Sequence, residues 1–155
     1  MFDHINREFI RSHQFKSDGL FMERERTSSR ISPDAVLPES PEKKQIQLRK
    51  RLNSLIHEKL DGSSARIEAA CGVSYELVRK YMGGRRNVTR DTLAKLCVGM
   101  ALSVEEAQQL FQLQGHSLEP DINRLDAILV DVLKCGEDIH VFYEECEEFG
   151  LPIFR

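Results

Sequence analysis

The chain has 155 residues, 41% of them hydrophobic and 30% charged, the balance of a soluble domain with a packed core and a solvated surface. No run of 18 apolar residues occurs, which excludes a membrane-spanning helix, and the opening MFDHINREFIRSHQ lacks the basic-then-apolar layout of a secretory signal, so a cytoplasmic location is expected. The net charge of −3 conceals a segregation: residues 1–42 carry −2, residues 43–95 carry +8 and residues 96–155 carry −9, which points to two surfaces with different partners.

Phe2, Ile5, Phe9 and Ile10 make a short helix-compatible stripe within residues 1–16, with Asp3 as its candidate cap. A stripe this short needs a surface to dock on, because helix nucleation is costly. Residues 17–42 read as a flexible linker: TSSRISPDAVLPESPEKK holds four Ser, one Thr and three Pro and little that is apolar. Within it, Arg24 to Ser32 sets hydroxyls beside arginines, a pattern that serves a kinase substrate or an ordinary polar linker.

From about residue 45 the pattern is helical throughout. Leu48, Leu52, Leu55, Ile56 and Leu60 share one face, and Asp61-Gly62 ends that helix. Ser63 or Ser64 caps the next, which carries Ile67, Ala70 and Cys71 and stops at Gly72. Ser74 caps a helix with Leu77, Val78 and Tyr81, closed by Gly83-Gly84. Thr89 caps one with Leu93, Leu96 and Cys97 inward, and Ser103-Val104-Glu105-Glu106 is a capping box that opens another, closed by Gly115. Asn123 then caps the stripe Leu125, Ile128, Leu129, Val132 and Leu133, and a last stripe runs through Ile139, Phe142, Tyr143, Cys146 and Phe149. No segment keeps a period of two, so an all-α fold is expected in three parts: residues 1–42, residues 43–116 and an acidic helical hairpin over 117–155.

The informative stretch is Ser64 to Leu102. Gly72 supplies the positive φ that a sharp turn between two helices needs. Val73 and Val78, with Ile67 and Tyr81, fill the wedge and fix the helices at about 90–120°. The helix after the turn then presents Tyr75, Glu76, Arg79 and Lys80 outward. A DNA major groove accepts one such helix, first-turn side chains reach base edges, and Gly83-Gly84-Arg85-Arg86-Asn87 lets backbone and arginines approach phosphate. Lys50, Arg51 and Arg90 are expected to widen the basic surface.

These residues resemble the Cro/lambda-repressor (XRE-like) family of helix-turn-helix DNA-binding domains over residues 46–115. The likeness rests on Ile67, Gly72-Val73-Ser74, Val78, Tyr81, the loop Gly84 to Val88, Thr92 to Leu96, and Ala101 to Ala107. It implies a five-helix domain in which Tyr75, Glu76 and Lys80 read bases. Ser64, Arg79, Arg85 and Arg86 would hold the DNA backbone, and Gly72 would be the structural turn. Glu68 departs from the family, which usually has a small residue four before the turn glycine. Either Ala69 packs in its place or Glu68 reaches Arg66 or Lys95.

Enzyme chemistry is not expected. The five histidines are scattered, no glycine-rich phosphate loop follows a strand, and Glu144, Glu145, Glu147 and Glu148 read as a solvated helix face rather than a metal site. The four cysteines are far apart and form no C-x-x-C pair, so they read neither as a zinc site nor as a disulfide framework; no metal and no cofactor is expected. The reading is therefore a dimeric transcriptional repressor that binds double-stranded DNA. The alternative is a protein-interaction module, antitoxin-like or signalling, that holds a partner through residues 1–16 or 117–155. The hairpin itself has three options: to pack on the rest of the chain, to pair with a second copy, or to dock another protein.

Overall fold

Eight helices and no strand make up residues 2–16 and 41–151, the part of the chain described by the structure, a computed structural model. In chain order they are α1 (Arg7–Ser12), α2 (Pro41–Leu60), α3 (Ser64–Cys71), α4 (Tyr75–Met82), α5 (Arg90–Gly99), α6 (Val104–Gln114), α7 (Arg124–Cys135) and α8 (Ile139–Glu148). No helix among the described residues is long and apolar enough to cross a membrane. Most of the expected linker, including Arg24 to Ser32, lies outside the described residues. Its last two residues, Pro41 and Glu42, already belong to α2, since proline suits the first helical position, where no N–H bond is lost.

Short polar side chains start the helices as the sequence leads one to expect. Ser63, Ser74, Thr89, Ser103 and Asn123 each accept the N–H three residues on. At α6 the box closes in both directions: Glu106 N–H donates to Ser103 Oγ at 3.1 Å, and Ser103 N–H donates to Glu106 Oε1 at 3.0 Å. The expected cap of α1 is corrected. Asn6, not Asp3, accepts from Phe9 N–H at 2.8 Å, because Asp3 stands in the turn before the helix.

Helix α5 is the centre of the fold. Thr92 to Val98 are all buried, and α3, α6, α7 and α8 pack around it. Where α3 crosses α5 there is no room for a side chain: a Cβ on Gly99 would stand 2.8 Å from both the Ala70 carbonyl oxygen and Cys71 Cα. On the other side, α8 sends Tyr143 beneath Lys95, whose ammonium lies 5.7 Å from the ring centre. Burial pushes the Lys95 ammonium below its ordinary pKa, with Asp91 pulling it back up.

Of the three options for the hairpin, the structure shows the first. Ala127, Ile128, Val130, Val132 and Phe142 are fully buried in the same core as the side chains of α2–α6. The N-terminal stripe finds its docking surface there too: α1 lies on α7, with Ile5 and Ile10 fully buried. Charged contacts frame that seam. Arg7 pairs with Glu145, with Glu137 at 2.8 Å and with Asp131 at 3.7 Å. In return, Lys134 Nζ donates to the carbonyls of Phe2 and Ile5, each at 2.9 Å. Glu145 is thus not on a solvated face as expected; it is buried, and Arg7 meets its charge. The other glutamates of that run, Glu144, Glu147 and Glu148, are exposed.

Candidate nucleic-acid interface

The segment from Ser63 to Val88 forms two eight-residue helices, a short turn and a basic loop. Gly72 ends α3 with φ +67, in the left-handed region. A Cβ there would also stand 3.3 Å from Tyr143 Cζ and inside its hydroxyl, so the turn is pressed directly onto α8. Ile67, Val73, Val78 and Tyr81 are all buried, as the wedge argument requires. Tyr81 adds a hydrogen bond, its hydroxyl donating to Thr92 Oγ1 at 3.4 Å. The base of α4 is therefore packed, and the sequence of the turn explains why.

The outward side of α4 carries Glu76 and Arg79, both exposed, and Lys80, half-buried. Tyr75 is also half-buried, because its ring covers the core edge. After α4 the chain turns through Gly84, at φ +76, with Gly84 N–H donating to Tyr81 O at 3.1 Å and Arg85 N–H to Lys80 O at 2.9 Å. These bonds fold the loop back onto the end of the helix and leave Arg85 and Arg86 exposed. Ser64 is exposed on the first turn of α3. A shallow groove of about 310 Å³ runs beside α4, floored by Ile56, Ile67 and Val78 and rimmed by His57, Tyr75 and Arg79. That volume is at the lower limit for a small-molecule pocket.

The three residues expected to widen the basic surface separate. Lys50 is exposed on α2, on the helical face it shares with His57. Arg51 is exposed but turned toward α6, where its charge acts on the Glu106 carboxylate. Arg90 is withdrawn altogether: it is 5% exposed, and its Nη2 donates to Asp126 at 2.6 Å. Arg90 also donates to the carbonyls of His116 and Ser117 and lies over the Phe111 ring. A guanidinium beside an unexpectedly close carboxylate is drawn inward rather than left to solvent.

Two further candidates come from contacts that the sequence reading does not predict. Arg49, on α2, lies against the loop: a Cβ on Gly84 would be 3.3 Å from its Cζ. Glu68 takes neither of the expected routes. Ala69 is exposed and Arg66 pairs with Asp61, while the Glu68 carboxylate reaches across the turn and accepts from Tyr75 N–H at 2.9 Å. An acidic residue in the last turn of a helix, just before a tight turn, is the signal that could have revealed this.

Three of the cysteines, Cys71, Cys97 and Cys146, are buried, and burial pushes the Cys71 and Cys146 thiols up to about 12. Thiols held protonated in this way are packing groups rather than nucleophiles. Among the described residues, Asp131, Cys135 and Glu137 bring metal-ligand atoms within 4.8 Å of one another. Arg7 already pairs with both of these carboxylates, so a cation is built into that cluster. Comparison of the chain with protein-family models, curated proteins and solved structures gives no match.

Proposed function

We propose that this protein is a sequence-specific DNA-binding transcription regulator, a dimeric repressor, in which α2–α6 form a five-helix domain of the Cro/lambda-repressor type and α4 enters the major groove. One observation carries the reading: a helix firmly packed underneath presents an outer face on which Glu76 and Arg79 are exposed and Tyr75 and Lys80 half-buried. That face continues into an exposed arginine loop. Tyr75, Glu76 and Lys80 are the candidates for reading bases; Ser64, Arg79, Arg85 and Arg86 are those for the backbone, with Arg49 beside the loop. Arg79, Lys80, Arg85 and Arg86, with Arg49 beside the loop, supply the positive charge that attracts a polyanion to this face; Arg90 and Lys95, though counted in the +8 of residues 43–95, are buried. Two copies related by a two-fold axis would read half-sites about one helical turn apart.

The protein-interaction reading draws less support from the geometry. The apolar stripes it would use, in residues 1–16 and in the hairpin, are buried against each other and against α5.

A gel-shift salt series on random and selected duplexes tests the proposal. Replacing Arg85 and Arg86 together by Ala weakens binding to every duplex and flattens the logarithmic salt slope by about 2, one phosphate contact per arginine. Lys80→Ala instead changes the preference among sequences. Unchanged affinity and slope in the double variant would remove DNA from this face.

A further inference from the structure

The N-terminus of α4 is already answered by the protein's own acid. Glu68 Oε2 accepts from Tyr75 N–H at 2.9 Å, and Ser74 Oγ accepts from Leu77 N–H at 3.2 Å. The next N–H, that of Val78, donates to the Ser74 carbonyl at 3.2 Å. Glu76 adds a second exposed carboxylate in the first turn. A helix start ordinarily attracts anions through its unfilled N–H groups and the positive end of its dipole. Here a carboxylate from α3 holds the first N–H, and a second negative charge stands beside it. The cations of the segment lie at the other end: Arg79 and Lys80 in the last turn of α4, Arg85 and Arg86 just after it.

Building on the DNA reading, we infer that Glu68 is a specificity-determining residue: it occupies the phosphate position at the start of α4 and shifts the polyanion contact to the C-terminal half of the helix and the 83–87 loop. A phosphate that approaches the helix start meets the Glu68 carboxylate already on the Tyr75 N–H, so binding that ignores sequence is held down there. Glu76 is left to meet a base-edge donor, such as the amino group of cytosine, in place of backbone. Selectivity then comes in part from a built-in repulsion and not from attraction alone.

Two measurements on the full chain decide this. In gel shifts at low ionic strength, Glu68→Gln, whose amide oxygen still accepts from Tyr75 N–H, raises affinity for random duplex roughly two- to fivefold. The gain fades as salt is added, and discrimination between selected and random sequence narrows. With a wild type that binds duplex, equal binding of random duplex by Glu68→Gln and the wild type overturns the inference. The second measurement needs no DNA: inorganic phosphate is titrated into the free protein while the Tyr75 and Glu76 amide resonances are followed. They shift in Glu68→Ala and stay still in the wild type; identical responses in the two proteins overturn the inference. A wild-type chain indifferent to all duplexes at low salt overturns the DNA reading alone, since the phosphate titration still judges Glu68.

Discussion

A guanidinium only 5% exposed is tolerable when every face of it is occupied, and Arg90 meets that condition with Asp126, two carbonyls and an aromatic ring. Burial pushes the Asp126 carboxyl up, while Arg90 and the Glu119 N–H pull it back. Arg90→Ala leaves a carboxylate buried without its cation, so it should cost roughly 3–5 kcal/mol. Urea unfolding followed by circular dichroism measures this; a loss under about 1 kcal/mol would mean the pair behaves like an exposed one. Sequence alone places Arg90 in a segment of net positive charge, and the acid that claims it is 36 residues away. Gly72 was legible for the opposite reason. Its φ is dictated by the two residues on either side of a turn, and that information is local.

At the scale of the element, locality again decides what can be read. An N-cap needs one polar side chain and an N–H three residues later, so the starts of α3 to α7 follow from the sequence. The reach of Glu68 across a turn and the docking of α1 on α7 depend on how helices meet, which no stripe records. The capping box of α6 offers a test with a definite pH sign. The Ser103 N–H holds the Glu106 carboxyl below its ordinary 4.5, and Lys59 and Arg51 add to that pull against the burial that opposes it. A depressed acid contributes stability above its ordinary pKa and loses it as the pH falls through the depressed value. Glu106→Gln should therefore cost about 0.3–1 kcal/mol at neutral pH, the scale of a charge at a helix start. Thermal midpoints of the variant and the wild type should converge as the pH drops below the carboxylate range. A gap that persisted in acid would assign the effect to side-chain packing instead of charge.

Across the whole molecule, the charge segregation seen in the sequence takes on a second use. Some of the acid of the C-terminal region holds the N-terminus of the same chain. Arg7 reaches Asp131, Glu137 and Glu145, Arg11 reaches Glu148, and Lys134 gathers carbonyls of the first residues. Contacts spanning some 130 residues leave no periodic trace, which is why the sequence leaves the hairpin three options and does not choose among them. The clasp has a pH signature of its own. Burial pushes the Asp131 and Glu145 carboxyls up, and the Arg7 charge pulls both back. A raised acid favours the fold fully below its ordinary pKa, and that contribution is lost as the pH rises through the raised value. At neutral pH these two groups therefore weigh against folding, and Arg7 offsets them. Arg7→Ala should then destabilise most at pH 7, by about 1–2 kcal/mol, less than for a fully buried pair because the Arg7 side chain is 43% exposed. The loss should shrink as the pH falls through the carboxylate range, where both carboxyls take up protons and leave the arginine less charge to meet. Denaturant midpoints of the two proteins across that range measure the effect. A difference that stayed constant with pH would show that the aliphatic stem of Arg7, and not its charge, secures the N-terminus to the hairpin.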